Sequence, residues 1–237
     1  MTTIINSIRD FDVSKVKYGE PKVLESTMKA IPISVNDNPI FLQIPQCVAP
    51  YGINCYNNDS GDSYDINVSF KDMDSRETLK MFYNKISEFD KRNVDQAIKN
   101  SQTYLKKPSN TSRDVVEALY TTMIKYPKDK ETGEITDKYP PTFKLKIPTK
   151  QGQFNCDFYD ENKEKITNIL DVNTKGAKVV AIIQCTGLWV INGKFGCTWK
   201  VVQMQVFSTK ELVGFAIKQD ADDLLDSSDE EDDDMED

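Results

Sequence analysis

The sequence predicts a mainly β fold that is interrupted by a helical segment and followed by an acidic C-terminal tail. Apolar residues alternate or cluster between turn signals in the segments KAIPISV, NPIFLQIPQ and DSYDINVSF of the N-terminal third. The hydrophobic period then becomes helical, and two β-rich stretches return in the C-terminal half. We therefore place a folded body at residues 1–219 and a disordered tail at residues 220–237.

The helical segment is predicted at about residues 74–125. Asp74, with Glu77 three positions later, fits a helix start. A last short helix is predicted over residues 112–125. We expect it to end before Tyr126, because the residue that precedes a proline is disfavoured in helical backbone. The apolar positions that follow helical spacing are Leu79, Phe82, Ile86, Phe89, Val94, Ala97, Ile98, Leu105, Val115, Val116, Leu119 and Met123.

The stretch PPTFKLKIPTKQGQFNCDFYD predicts a first hairpin, with its turn at residues 149–152 and Pro148 opposite Gln153. One face then carries Phe143, Leu145, Ile147, Phe154, Cys156 and Phe158. The other carries Lys144, Lys146, Asn155, Asp157 and Tyr159. Two lysines and a tyrosine on one face suit contacts with nucleic acid, and an ordinary solvated strand face is the alternative.

The second hairpin turns at Asn192-Gly193, which suits a type I′ turn between two β-rich runs. The predicted pairs are Ile191 with Lys194, Val190 with Phe195, Trp189 with Gly196, and Cys185 with Lys200. The predicted core face holds Leu188, Val190, Phe195, Cys197, Trp199 and Val201. The other face sets Trp189 over Gly196 beside Lys194 and Lys200, which suits base stacking and phosphate contact. A buried Trp189 is the alternative, since Ile183 and Val179 share its face in this register.

Charge divides the chain into two parts. The whole chain has 30 basic and 38 acidic residues, but residues 220–237 hold twelve acids and no Lys or Arg, so the body carries about +4. Such a tail repels itself and should stay disordered. A cationic body joined to an anionic tail predicts a site where the tail competes with an anionic ligand, and a tail that only aids solubility is the alternative. The tail residues singled out are Asp229, Glu230, Glu231, Asp232, Asp233 and Asp234.

Composition argues against several classes of protein. The chain has no His, and its five cysteines, at positions 47, 55, 156, 185 and 197, show no CxxC spacing. We therefore expect no metal, no cofactor, no disulfide framework and no enzyme activity. No apolar run approaches the roughly 18 residues of a membrane span, and MTTIINSIRDFD lacks signal-peptide character. We expect a soluble, intracellular protein that is not secreted and has no membrane partner.

The segment GLWVINGKFGCTWKVVQMQVF, the segment NPIFLQIPQ and the acidic end resemble the single-stranded DNA-binding proteins of nucleocytoplasmic large DNA viruses. That family is distantly similar to the OB-fold single-stranded DNA-binding proteins of podophages. The resemblance implies an OB-fold-like five-stranded barrel with the helical insertion, and sequence-nonspecific binding of single-stranded DNA in viral replication, recombination and repair. It also implies a location in the host nucleus or a cytoplasmic virus factory.

The same resemblance implies a tail that occupies the DNA groove until DNA displaces it. The displaced tail would recruit replication proteins such as DNA polymerase or helicase/primase, and a homodimer is left open. The chain departs from the phage pattern at its end, where Met235-Glu236-Asp237 replaces a terminal aromatic residue. A partner pocket that requires a terminal ring is therefore in doubt.

Two other classes of function stay open at this point. An acidic-tailed interaction protein or chaperone would bind basic proteins through the tail and ignore DNA. A carboxylate-based nuclease would need a metal held by clustered acids of the body, such as Asp59, Asp62, Asp65 and Asp72. We expect these acids to lie in a loop, because their stretch is rich in Gly, Ser and Asn.

Overall fold

The computed structural model describes residues 4–25, 27–58 and 61–208. The acidic tail and Asp59 lie outside these residues. Within the described ranges the fold is mainly β, as predicted. The strands are β1 (Ile5–Ser7), β2 (Val16–Tyr18), β3 (Lys22–Glu25), β4 (Met28–Ile31), β5 (Ile33–Val35), β6 (Asn38–Pro39), β7 (Phe41–Gln43), β8 (Cys47–Val48), β9 (Ile53–Asn58), β10 (Gly61–Ser69), β11 (Tyr120–Thr121), β12 (Ile124–Lys125), β13 (Thr142–Ile147), β14 (Thr149–Lys150), β15 (Gln153–Phe154), β16 (Asp157–Tyr159), β17 (Lys178–Ile191) and β18 (Lys194–Phe207).

The α-helices lie between β10 and β11 in the sequence. In the described part of the chain the α-helices are α1 (Glu77–Lys99), α2 (Ser101–Leu105) and α3 (Arg113–Leu119). The short 3-10 helices are Val13–Lys15, Met73–Ser75 and Ile169–Asp171.

The long hairpin strands β17 and β18 organise the main sheet. β17 pairs antiparallel with β18, β4, β7 and β8. β18 also pairs parallel with β11, β13 and β16. β10 pairs antiparallel with β8, β9 and β13. Two smaller sheets, β14–β15 and β2–β5–β6, complete the described β-structure.

The turn of the β17–β18 hairpin is the predicted one. Asn192 and Gly193 adopt φ of 49° and 79°, the positive values that a type I′ turn requires. The pairs Ile191–Lys194, Val190–Phe195 and Trp189–Gly196 form as predicted. The predicted core face of this hairpin is buried throughout.

The predicted pair Cys185–Lys200 is wrong, because β17 contains a bulge. Cys185 pairs with Trp199, and Lys200 pairs with Gln184. Thr186 and Gly187 are both accommodated opposite a single β18 residue. Gly187 has φ of 97°, and a Cβ there would lie 2.5 Å from the Ile31 carbonyl oxygen of β4. Only glycine therefore fits this bulge without displacing the backbone of β4.

The first predicted hairpin has the correct faces but the wrong pairing. The turn is tighter than predicted, with Thr149 opposite Phe154 and positive φ at Gln151 and Gly152. Beyond it the two strands separate, because β13 pairs with β10 while β16 pairs with β18. The alternation still holds, since the predicted apolar residues are buried or half-buried and pack in the core.

Most of the predicted apolar helix positions are buried or half-buried, but Val115 is 44% exposed and Met123 lies beyond the end of α3. Leu79, Phe82, Ile86 and Phe89 are fully buried on one side of α1. The first residue of α1 follows Arg76, since Asp74 belongs to the preceding 3-10 helix and does not cap α1. The predicted helix over residues 112–125 ends at Leu119, and the chain continues as β11 and β12. Pairing of these strands with β18 and β13 outweighs the local helical pattern.

Aromatic side chains join α1 to the inner side of the sheet. Trp199, only 1% exposed, lies 6.1 Å from Phe89, 6.4 Å from Phe143 and 6.5 Å from Phe11 between ring centroids. Its indole N–H donates to the sulfur of Met123 at 3.1 Å. These rings form the part of the core that lies between α1 and the strands β13 and β18.

A buried carboxylate on α1 holds the segment that follows α3. Asp90 accepts hydrogen bonds from the Met123 backbone N–H at 3.0 Å and from the Tyr120 hydroxyl at 2.5 Å. Asn93 donates to the same Tyr120 oxygen at 2.9 Å. Burial raises the pKa of Asp90, because it disfavours the charged form more than these hydrogen bonds favour it.

We expect the substitution Asp90→Ala to lower the free energy of unfolding by about 2–3 kcal/mol, because it leaves the buried Met123 N–H and the Tyr120 hydroxyl without their acceptor. Urea unfolding followed by circular dichroism measures the loss. Asp95→Ala is the control, since Asp95 also lies on α1. This substitution removes an exposed ion pair with Arg113 of α3 and should lower the free energy of unfolding much less. Equal losses in the two variants would contradict the structural role of Asp90.

Candidate nucleic-acid interface

The sheet has a side opposite its buried core, which we call the outer face. On β17 and β18 it carries Trp189, Ile191, Lys194, Gly196 and Lys200, while their neighbours along each strand are core residues. Directly paired residues on adjacent strands share a face, so the strand register extends the outer face to the neighbouring strands.

The bulge on β17 decides where Trp189 points. Val179 and Ile183 are completely buried on the inner side, whereas Trp189 is half-buried on the outer face. The alternative, in which these residues share the face of Trp189, is wrong because the Thr186–Gly187 bulge inverts the alternation between Cys185 and Leu188.

Small residues flank Trp189 on both neighbouring strands. Trp189 pairs with Gly196 on β18 and with Ala30 on β4. The indole lies against Gly196, since a Cβ built there would be 2.6 Å from Trp189 Cζ2 and 2.9 Å from Cε2. Lys22 lies opposite Ala30 at the edge of the same row. The ring is therefore seated on backbone and bordered by short side chains.

Two lysines lie side by side further along the outer face. Lys146 of β13 pairs with Lys200 of β18, which is half-buried. Gln184 pairs with Lys200 from the other side and continues the row to Phe41 on β7. Lys200 is four residues from Gly196 on β18, or about 13 Å. The indole and the two ammonium groups are therefore spaced along one surface.

Lys144 is on the outer face but is engaged with another side chain. Its ammonium group donates to the buried Asp65 carboxylate at 2.8 Å and lies 5.5 Å from the centroid of the Tyr56 ring. Asn54 donates to the other Asp65 oxygen at 2.9 Å. Partial burial opposes the charge on Lys144, but Asp65 and Tyr56 outweigh it and raise the pKa of Lys144. Lys144 stays charged at neutral pH.

The remaining predicted residues also belong to the outer face. Lys194 is exposed beside the hairpin turn. Tyr159 on β16 pairs with Gln205 of β18 and is half-buried. The register thus brings all six predicted residues to one face, although Tyr159 reaches it through β18 and not through the predicted hairpin with β13.

Sequence reasoning missed two residues of this face. Lys125 on β12 pairs with Thr142, two positions from Lys144, but its segment was predicted to be helical. Tyr56 lies on β9, a mostly polar stretch for which no strand was predicted, and is 45% exposed. Alternation of Ile53 and Cys55 with polar neighbours was the only sequence cue for β9.

The described part of the chain shows no cluster of three or more metal-ligating side chains. Among the acids that a nuclease would need, Asp65 is committed to Lys144 and Asn54. No helix in the described ranges has both the length and the apolar character required to span a bilayer.

A model of a protein family matches residues 66–218, which is more than half of the chain. This chain belongs to that family, described as a family of unknown function (DUF5871). The DUF5871 region begins within β10 and contains all six predicted residues of the outer face. No curated protein matches the chain significantly.

Solved structures of two phage proteins are similar to this chain. Gp2.5, a single-stranded DNA-binding protein encoded by bacteriophage T7, is 12% identical, with 83% of this chain and 98% of that chain covered and a TM-score of 0.42. The single-stranded DNA-binding protein from bacteriophage Enc34, in complex with single-stranded DNA, is 10% identical, with 82% and 98% covered and a TM-score of 0.41. The large-DNA-virus family stays a prediction.

We expect the substitution Gly196→Ala to lift the Trp189 ring off the sheet, because the added methyl would lie within 3 Å of two ring atoms. Acrylamide quenching of tryptophan fluorescence should increase, since Trp199 stays buried and Trp189 becomes more accessible. Overpacking should also cost about 1–3 kcal/mol of stability. Thr198→Ala, on the same face, is the control, and unchanged quenching in Gly196→Ala would contradict the ring placement.

Proposed function

We propose that this chain binds single-stranded DNA through the outer face, without sequence preference. The observation that carries the proposal is the placement of Trp189, seated over Gly196, on the same face as the paired Lys146 and Lys200. An aromatic platform with spaced ammonium groups is what unpaired nucleotides require, since their bases expose π-faces and their phosphates carry charge.

The expected energetics favour binding without sequence readout. Stacking of one base on Trp189 contributes about 1–3 kcal/mol whatever the base. Lys194, Lys200 and Lys146 supply phosphate contacts, which depend on salt and not on sequence. Lys144 contributes less, because it already neutralises Asp65. Tyr56 and Tyr159 offer further rings at the far sides of the face.

The proposal includes an OB-fold-like five-stranded barrel in a domain of residues 1–219. Its basis is a closed series of pairings, from β17 through β8, β10, β13 and β18 back to β17. OB-folds bind oligonucleotides on the face of their central strands, and the outer face would serve that purpose in this chain. The helices between β10 and β11 form the insertion.

The proposed biological role rests on the sequence resemblance to viral single-stranded DNA-binding proteins. It comprises coating of single strands during viral DNA replication, recombination and repair, in the host nucleus or a cytoplasmic virus factory. The acidic tail competes with DNA for the outer face and, once displaced, recruits replication proteins such as DNA polymerase or helicase/primase. The opposite charges of the body and the tail support this competition between tail and DNA. The body carries a net charge of about +4, and the tail contains twelve acidic residues.

We expect Trp189→Ala to weaken binding to oligo-dT about tenfold at fixed salt, because one stacking platform is lost. Fluorescence anisotropy measures the affinity, and thermal unfolding shows whether the variant stays folded. Tyr139→Ala removes a ring that is 57% exposed and lies outside the outer face, and should bind as the wild type does. Equal affinities of wild type and Trp189→Ala would contradict the platform.

We expect truncation after Gln219 to tighten binding to oligo-dT about tenfold in dilute salt, because a tethered polyanion competes at high effective concentration. The gain should shrink as salt screens the tail. Equal affinity with and without the tail would contradict autoinhibition. If neither the full-length protein nor the truncated variant bound DNA, and the full-length protein bound basic proteins, the chaperone interpretation would replace the proposed function.

A further inference from the structure

A cavity of about 320 Å³ opens on the outer face at the end away from Trp189. We call it the glutamine pocket. The side chains that line it include Gln43, Tyr159, Lys163, Val180, Ile182 and Gln203. Its size is at the small end of ligand sites, which suits one planar ring system and its sugar better than a larger molecule.

The floor of the glutamine pocket is apolar. Val180 and Ile182 of β17 are half-buried on the outer face, between inner residues that are fully buried. Ile182 pairs with Gln43 on β7 and with Gln203 on β18, so one amide stands on each side of it. The pocket thus combines a flat aliphatic surface with polar groups at its two edges.

A second bulge brings the β18 glutamine to this face. Ile183 pairs with Val201 but Ile182 pairs with Gln203, so Val202 is the extra residue. The bulge inverts the alternation, which places Met204 in the core and Gln203 on the outer face. Without it, Gln203 would face the core and leave a buried amide unsatisfied.

The two amides beside Ile182 are available to a ligand. The neighbouring Gln205 amide donates to the Asp160 carbonyl oxygen at 3.0 Å, so it is already occupied. Within the described residues, no hydrogen bond engages the Gln43 or Gln203 side chain. Asp157, which pairs with Gln203 from β16, is neutralised by Lys165 at 2.7 Å. The exposed Lys163 adds a positive charge at the rim.

We propose that the glutamine pocket receives one unpaired base of a strand bound along the outer face. The base packs on Val180 and Ile182, its polar edge meets the amides of Gln43 and Gln203, and Lys163 contacts a phosphate. Because an amide offers both a donor and an acceptor, it can match the edge of any base by rotation. The pocket therefore recognises the presence of a base without selecting its identity.

The position of the pocket fits a strand that also stacks on Trp189. Gln203 is seven residues from Gly196 on β18, which corresponds to about 23 Å along the strand. The paired Lys200 and Lys146 lie between the two ends. A bound segment of several nucleotides can thus contact the indole, the lysines and the pocket in turn, within the site size of one OB-fold.

This inference rests on the proposed function, and its test compares two probes with identical phosphates. Full-length protein is titrated with dT8 and with an eight-unit abasic oligomer. The double substitution Gln43→Leu/Gln203→Leu keeps the side-chain size but removes both amides. We expect it to weaken dT8 binding about threefold to tenfold for each amide and to leave binding of the abasic oligomer unchanged. Gln153→Leu, exposed in the β14–β15 hairpin, is the control.

A second measurement does not depend on the variants binding DNA. The side-chain NH2 resonances of Gln43 and Gln203 in 15N spectra of the wild type should shift with dT8 and not with the abasic oligomer. Equal responses to the two probes, or variants that bind dT8 as the wild type does, would overturn the pocket while leaving the proposed function intact. If the wild type bound neither oligomer, both proposals would fall.

Discussion

The position of Trp189 on the outer face depends on one backbone feature, the bulge at Thr186–Gly187. Gly187 packs so closely under the Ile31 carbonyl that a Cβ would lie 2.5 Å from the oxygen. The extra residue turns Trp189 outward while Val179 and Ile183 stay in the core. A regular strand would place Trp189 on the same face as Val179 and Ile183, and the outer face would lose its largest ring.

The two tryptophans of the hairpin lie on opposite faces of the sheet. Trp199 lies among Phe11, Phe89 and Phe143 and anchors α1 to the sheet. Trp189 lies on the opposite face over Gly196, in line with the lysines of β13 and β18. One hairpin therefore supplies both a large buried ring of the core and the proposed binding surface, so substitution of the exposed or half-buried lysines of that surface should test function with little effect on the fold.

The sequence predicted correctly those features of the fold that depend on residues close to one another in the chain. Asn192-Gly193 specifies its turn, and alternation assigned the faces of β13 and of the hairpin near that turn. The bulge at Thr186–Gly187 was missed because the close approach of Ile31 to Gly187 is a tertiary contact with no local pattern. Pairing of β16 with β18 and the strand at Lys125 were missed for the same reason, since each depends on a partner distant in sequence.

The most direct measurement of DNA binding by the outer face is the salt dependence of oligo-dT affinity for the full chain and for the variant Lys146→Gln/Lys200→Gln. We predict that the logarithm of the affinity falls linearly with the logarithm of salt concentration, by about 0.7 per phosphate contacted. The variant should show a slope shallower by roughly 1.4, since two contacts are lost. Identical slopes, or no measurable binding in dilute buffer, would contradict binding through this face.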